Sequence, residues 1–528
     1  MPNEPKPPAA TPARLGQIAA GVPAKAGRLA HIVSTIVRAG VVPFPRIDRG
    51  LAELAPLLRY GTTLGGLFAI AAASTPDRIA VIDDDRSVTY GALQRQIGAL
   101  AHELTDRFGV GEGSAVGVLA RNHIGFVQTV IACSRLGADA VLLNTGMSAP
   151  QAAAVCKQQR LVALVIDPDL MAMVEGAPAD IPRICCGTLD PDLADSAVAS
   201  TAEMVQTTGT VIDAPEQDGR TVVMTSGTTG APKGARRPAS GGPDAAASIL
   251  SLIPFRAEET AYIAPPLFHT WGFANLQIAA MLRSTVVLRR RFDPADALRV
   301  LSVNRCSTMT VVPVMLQRIL DLDPADRPDG DWSALRIVAS SGSALPGTLA
   351  TRWQAAFGPT LYNLYGSTEV SWATIATPQD LAVHPGTAGR APRGTRLAIL
   401  DDHDHPVPQG EVGRIFVGND LQFEGYTGDE PGKAVVDGLM STGDVGHLDA
   451  DGLLFVAGRD DDMIVSGGEN VDPKEVEDLL ASRDDIVEVA VIGVDDDDFG
   501  QRLAAFVVVR KPTGKVVARE LRALLPGS

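Results

Sequence analysis

Apolar and polar positions along this chain follow two alternating periods. Short apolar runs bounded by turn residues read as buried strands at 79–82, 116–120, 138–144, 161–167 and 181–189. Residues 83–87 predict a turn that leads into a further strand at 88–90. Longer stretches with apolar residues at helical spacing fall between these runs, at 91–108 and 124–137. Downstream, the pattern predicts a helix at 275–282, strands at 284–288 and 308–312, a helix at 313–320 and a strand at 335–340. One face of 313–320 is apolar, which suits the wall of a tunnel and a packed core equally well. Strand alternating with helix predicts an α/β domain with parallel strands. Near the end, a helix opened by Asp472-Pro473 precedes strands at 486–494 and 503–509, which point to a smaller α+β unit.

Residues 1–60 stand apart as an extension that is partly helical. Residues 1–12 are rich in Pro and Ala, the composition of a disordered segment. Residues 15–42 carry Lys25, Arg28 and Arg38 among apolar positions at helical spacing. Two readings stand for this helix: packing against the main domain, or contact with a membrane surface. No compact basic start leads into one continuous apolar core, so it does not read as a secretory signal.

At 528 residues the chain is too long for a single ordinary core, and two or more domains are expected. Hydrophobic residues make up 45% and charged residues 20%, the balance of a soluble globular protein. The net charge of −16 argues against a nucleic-acid partner and against broad attraction to anionic membranes. Five scattered cysteines have neither metal-ligand spacing nor a paired count, which favours a reducing cytoplasm.

The chemistry begins at Thr225-Ser226-Gly227-Thr228-Thr229-Gly230-Ala231-Pro232-Lys233-Gly234, directly after the strand-like Thr221-Val222-Val223-Met224. Glycines let a backbone approach a polyphosphate and turn its N–H groups inward. The hydroxyls add neutral donors and Lys233 a mobile positive charge. Pro232 and Gly234 break the Walker A pattern at both residues flanking the lysine. Arg236-Arg237 and residues 238–244 then read as a mobile connector. This decapeptide resembles the phosphate loop of the adenylate-forming superfamily, which comprises acyl-CoA synthetases, adenylation domains and luciferases.

Later strings extend the resemblance, and the roles that follow are what it implies. Ala264-Pro265-Pro266-Leu267-Phe268-His269-Thr270-Trp271-Gly272-Phe273 is similar to the second core motif, with His269 between the ATP and carboxylate sites. No acidic residue occurs from 261 to 288, where amino-acid-activating relatives place an Asp, so a neutral apolar acid is expected. Ser341-Gly342-Ser343 corresponds to a turn against which adenine stacks. In Tyr365-Gly366-Ser367-Thr368-Glu369, Tyr365 stacks on adenine, Thr368 donates to the α-phosphate and Glu369 carries magnesium, with Thr228 as the other metal contact. Asp444, in a tight turn formed by Ser441-Thr442-Gly443-Asp444, accepts from the ribose hydroxyls. Arg459 contacts ribose or phosphate, and Asp461 is the pivot of a hinge at 459–462. Ser466-Gly467-Gly468-Glu469-Asn470 resembles the form found in acyl- and aryl-CoA ligases along the CoA tunnel. The basic triplet Arg289-Arg290-Arg291 reads as a solvated strand end, with attraction to CoA phosphate as the minor reading.

The end of the chain admits two registers. In one, Lys511-Pro512-Thr513-Gly514-Lys515-Val516 is similar to the family's terminal motif, and Lys515 is the lysine that bridges carboxylate and α-phosphate. In the other, residues 511–519 are a turn before a helix near Glu520-Leu521-Arg522, and Lys515 has no catalytic part. Either way the small domain is shortened.

The resemblance therefore implies an α/β large adenylate-forming domain at 61–458, a hinge, and a shortened α+β C-terminal domain at 463–528. It implies ATP, magnesium and coenzyme A as cofactors and a fatty acid as the acid substrate, with no carrier protein evident. An aryl-CoA ligase is the alternative within the enzymes, and a catalytically impaired nucleotide- or acyl-binding remnant is the alternative of another class.

Overall fold

The computed structural model describes residues 27–42, 46–188, 199–207, 213–225, 233–239, 242–427 and 432–460. Beyond these it describes 464–466, 469–471, 473, 476–477, 480, 483, 486–496 and 500–509. The N-terminal residues 1–26, the loop positions Ser226, Gly227, Thr228, Thr229 and Gly230, the pivot Asp461, Gly467, Gly468 and Lys515 lie outside the described residues.

Two eight-stranded sheets dominate. The first runs Thr374–Ala376, Leu361–Tyr365, Ile337–Ser340, Thr308–Val311, Thr260–Ile263, Thr285–Val287, Ile79–Ile82, Ser87–Thr89. The second runs Gly425–Tyr426, Lys233–Arg237, Thr221–Thr225, Asp139–Leu142, Ala115–Leu119, Ala163–Ile166, Arg183–Cys185, Ala199–Ser200. The inner strands pair in parallel, as the strand–helix alternation predicts. Antiparallel strands close both edges of the first sheet and one edge of the second. Strands such as Ala163–Ile166 are buried at every position, which is why they read as unbroken apolar runs.

A layer of helices lies between the sheets. Helix Ile124–Leu136 is buried over nearly its whole length. It packs beside Tyr90–Phe108 in one cluster with Val81 and Val286 of the first sheet and Val118 and Leu142 of the second. Its apolar residues therefore face all round the helix rather than along one stripe. Helix Pro313–Leu320 buries Met315, Leu316 and Ile319 in a core with Trp353, so its apolar face is spent on packing.

Beyond these sheets, Arg396–Leu400, Gly413–Gly418, Leu439–Leu448 and Val435–Val436 form a third sheet, with Leu454–Arg459 paired to Leu439–Leu448. A fourth joins Glu469–Val471, Ile464–Ser466, Gly500–Val509 and Ile486–Asp496. The last two strands form a long antiparallel pair over a small core of Val476, Leu480, Ile486 and Val491.

Three local expectations change. Arg236 and Arg237 are not a connector but part of strand Lys233–Arg237, paired residue for residue with Thr221–Thr225. The helix expected at 275–282 begins earlier and spans Thr270–Met281. Gly272 hides that start, because glycine disfavours helix. It is required there, since a Cβ would collide with the Pro266 carbonyl. Ser441-Thr442-Gly443-Asp444 lies within strand Leu439–Leu448 as a bulge rather than as a free turn: Ser441 and Val445 oppose Phe416 and Arg414, with Gly443 at φ +83°.

The N-terminal extension packs against the large domain. Residues 27–39 are helical, and Ala39 is buried with Ile249, Trp271 and Leu282. A second helix, Ile47–Tyr60, follows. Arg283, only 2% exposed, ties both segments down. It donates to the carbonyls of Gly40 and Val41 and lies 3.3 Å from the Glu53 carboxylate. Arg49 pairs with Glu258 at 2.7 Å. Two arginines of the basic triplet form ion pairs, Arg289 with Asp296 at 2.9 Å and Arg290 with Asp85 at 2.8 Å, and Arg291 is exposed. All five cysteines are free and buried. No helix among the described residues is long and apolar enough to cross a membrane.

Removing one partner of a buried ion pair strands the other charge. Arg283→Met should therefore destabilise the protein by about 3–5 kcal/mol in chemical denaturation. A loss below about 1 kcal/mol, the range of surface pairs, would show that the extension is not anchored there.

Candidate functional site

The antiparallel return of Lys233–Arg237 organises the site. The ladder sets Thr225 opposite Lys233, so the glycine-rich segment leaves and re-enters the sheet at neighbouring points. The flanking structure is strand on both sides, unlike a Walker A loop that opens a helix. No helix follows Lys233 whose dipole could attract an anion, since strand Lys233–Arg237 continues directly from it.

Strand Gly425–Tyr426 pairs with Lys233–Arg237 on its other side. Lys233 Nζ lies 5.8 Å from the centre of the Tyr426 ring. The Tyr426 hydroxyl in turn donates to Glu369 Oε1 at 2.7 Å. Lys233 and Glu369, far apart in sequence, are thus linked through one tyrosine. Glu369 is 9% exposed. Its backbone N–H donates to Ser367 Oγ at 3.2 Å. Its other carboxylate oxygen makes no hydrogen bond among the described residues, and a carboxylate oxygen beside hydroxyls is the donor type that magnesium takes.

Arg237 sits beside this carboxylate. It donates to the Thr368 carbonyl and, at 2.5 Å, to Ser371 Oγ. Burial pushes its pKa down to about 10, against the pull of Glu369. Sequence reasoning missed both Tyr426 and Arg237. Neither falls in a recognisable string, and only strand pairing brings them in.

His269 is the N-cap residue of helix Thr270–Met281, through its backbone alone. The imidazole is therefore not used in capping and is exposed into a cavity. The cavity walls withdraw it from bulk water and lower its pKa. Thr270 Oγ1 donates to Thr368 Oγ1 at 3.2 Å, which joins the His269 string to the Tyr365–Glu369 string. The turn Ser341-Gly342-Ser343 follows strand Ile337–Ser340 and lines the same cavity. Gly342 has φ +95°, a left-handed conformation that a side chain would strain, and an added Cβ would lie 3.2 Å from Val312.

Tyr365 and Asp444 form the second knot. The Tyr365 hydroxyl donates to Asp444 Oδ2 at 2.5 Å. The Asp444 N–H donates to Thr442 Oγ1 at 3.1 Å. Asp444 pairs across the ladder with Arg459, whose guanidinium is 4.0 Å from its carboxylate. Burial raises the Asp444 pKa, while Tyr365 and Arg459 oppose the shift and favour the carboxylate.

Sequence-expected residues from five stretches thus come together in three groups: Lys233 with Glu369 through Tyr426, the His269-Thr270 string with Thr368, and Tyr365 with Asp444 and Arg459. Ser466 and Glu469 pair with each other in the fourth sheet. The cavity has a volume of about 850 Å³. It runs from His269, Ser343, Gly366 and Thr368 past Trp271 and Ile278 to the N-terminal extension. Its walls beyond the polar mouth are mainly apolar.

The family model described as AMP-binding enzyme matches residues 68–427, more than half of the chain. The model described as AMP-binding enzyme C-terminal domain matches residues 475–527. The chain is similar to an indoleacetate–CoA ligase of Aromatoleum aromaticum, with 31% identity over 447 residues, 82% of this chain and 85% of that protein. It is also similar to a medium/long-chain-fatty-acid–CoA ligase of Mycobacterium tuberculosis, with 29% identity over 467 residues, 86% of this chain and 81% of that one. Among solved structures, the o-succinylbenzoate CoA synthetase of Bacillus subtilis with its acyl-adenylate intermediate superposes with a TM-score of 0.75. The identity is 26%, over 87% of this chain and 92% of that one. The same enzyme with ATP and a magnesium ion gives a TM-score of 0.73 at 26% identity, covering 86% and 92%.

The lowered pKa of His269 has a definite sign: protonation requires a lower pH than for an exposed histidine, so the ring is neutral at pH 7. In histidine-labelled protein, the resonance lost in His269→Gln should titrate with a midpoint below 6.5. A midpoint at or above 6.5 would contradict the desolvated placement.

Proposed function

The chain belongs to the AMP-binding enzyme family, and from that premise we propose that it joins a bulky aryl carboxylic acid to coenzyme A. As an AMP-forming CoA ligase it uses ATP, magnesium and coenzyme A. The carboxylate oxygen attacks the α-phosphorus of ATP, the α–β bond breaks and pyrophosphate leaves. The CoA thiolate then attacks the acyl carbon of the acyl-adenylate, and AMP leaves.

The observation that carries the reading is the cavity, which opens from His269, Ser343 and Thr368 into an apolar interior. A neutral His269 and the absence of an acidic residue from 261 to 288 suit an acid without an ammonium group. Similarity to an indoleacetate ligase and to a synthetase solved with its succinylbenzoyl-adenylate supports an aryl acid over the fatty acid first expected. The fatty-acid ligase among the relatives keeps the aliphatic series as the second reading.

Each residue has a proposed part. Lys233 and the loop residues Thr225 to Gly230 hold the β,γ-phosphates, with Tyr426 keeping the lysine near Glu369. Glu369, with Thr228, would hold magnesium, which when bound neutralises charge on the leaving pyrophosphate. Thr368, set by Thr270 and Arg237, donates to the α-phosphate. Tyr365 and the Ser341–Ser343 turn flank adenine, and Asp444 and Arg459 take the ribose. His269 separates the nucleotide from the acid. The large domain spans 61–458, with the pivot Asp461 in a hinge at 459–462 and Ser466 to Glu469 beside the CoA path in the 463–528 unit. The outward apolar stripe Leu51, Leu54 and Leu58 on helix Ile47–Tyr60 supports peripheral membrane contact as part of this reading.

Mass spectrometry of products from MgATP, coenzyme A and a mixture of aryl and fatty acids tests the proposal. Aryl-CoA as the dominant product is expected; fatty acyl-CoA in its place would restore the aliphatic reading. A folded protein that binds ATP and yields neither adenylate nor thioester would be the impaired remnant.

Lys515 is carried as the lysine at the α-phosphate. Lys515→Ala should then lower adenylation, read by pyrophosphate release, by about 10²–10³. Unchanged adenylation would assign residues 511–519 to the turn-and-helix register.

A further inference from the structure

Four apolar residues of the N-terminal extension, Ile36, Val41, Val42 and Leu57, line the far end of the cavity that begins at His269. Ile278 and Met281 of the helix that His269 caps line the same cavity and pack with Val41 in one cluster. The extension is therefore both an outer layer of the protein and an inner wall of the site.

Its position is fixed from several directions. Thr35 and Ala39 are buried, and the Ala257 N–H donates to the Ala39 carbonyl at 2.7 Å. Gly40 turns the chain with φ +77°, and an added Cβ would lie 3.0 Å from Ala257. Arg283 and Glu53 both line the cavity, and their charges are engaged with each other and with the Gly40 and Val41 carbonyls. The end of the cavity thus offers an apolar surface and an internally paired charge rather than an open ionic site.

Resting on the CoA-ligase reading above, we propose that the N-terminal helices form the distal wall of the acid-binding cavity and set the greatest length of acid accepted. The substrate class is a carboxylic acid whose apolar body is longer than a single aromatic ring. A small acid such as benzoate fills only the part near His269. At about 850 Å³ the cavity is near the upper end of ordinary small-molecule pockets. Apolar walls reward each added buried carbon until the chain meets Ile36 and Leu57.

The test uses the full chain carrying Ile36→Trp or Leu57→Trp, with Leu58→Trp, 87% exposed on the outer face, as the control. Thioester formation is measured for benzoate, indole-3-acetate, a three-ring aryl acid and dodecanoate. Acid binding is read separately by fluorescence quenching of Trp271 and Trp372, both in the cavity wall. Overpacking the distal end should lower kcat/KM and binding for the two longest acids by at least about tenfold, leave benzoate within about twofold, and spare the Leu58 variant. Unchanged profiles for the longest acids in both inner variants would overturn the wall. Length-dependent binding that the inner variants abolish, without thioester from any acid, would uphold the wall and overturn the ligase reading instead.

Discussion

One strand pairing makes the site possible. Lys233–Arg237 turns back antiparallel on Thr221–Thr225, and Gly425–Tyr426 adds to its free side. Backbone hydrogen bonds in a sheet fix register to the residue, and register decides which side chains share a face. Here they set Lys233 against Tyr426 and bring Arg237 to the Thr368 carbonyl. Thr225 and Lys233 thereby stand opposite each other, and the lysine is linked through Tyr426 to the Glu369 carboxylate.

Electrostatics follows from that arrangement. Glu369, Arg237 and Asp444 are all withdrawn from water, and each is met by an opposite charge or a hydrogen bond. Buried groups of this kind interact more strongly than they would in solvent, and they are held in place before a nucleotide arrives. Tyr365 shows the economy of the design. Its hydroxyl holds Asp444, while its ring is left for the stacking on adenine proposed above. His269 differs from these groups. Desolvation favours its neutral form, so it adds no charge to the largely apolar cavity that it lines.

The N-terminal extension extends the same logic to the cavity. A surface helix usually contributes one packed face and little else. Here the packed face also closes a cavity, and the buried Arg283 holds it there by bonding to two carbonyls and a carboxylate of the extension. Burying a guanidinium is costly unless its donors are satisfied, and that cost makes the docked position specific.

The sequence by itself determined what is local. The apolar runs marked the inner strands of both sheets because those strands are buried on both faces. The strings around Lys233, His269, Tyr365–Glu369 and Asp444 could be read because each packs its chemistry into a few consecutive residues. Tertiary structure alone decided what depends on pairing between distant segments. Tyr426 and Arg237 carry no motif, and they enter the site only because three strands align. The helix start at Thr270 was hidden by Gly272, whose helix cost is overridden by the close approach of the Pro266 carbonyl. The extension reads in sequence as a basic, apolar helix, and only its docking on Ala257 and Arg283 makes it a wall of the cavity. Periodicity records whether a face is buried. It does not record which surface covers that face, because burial is non-directional, whereas register and charge pairing are fixed only when the chain has folded.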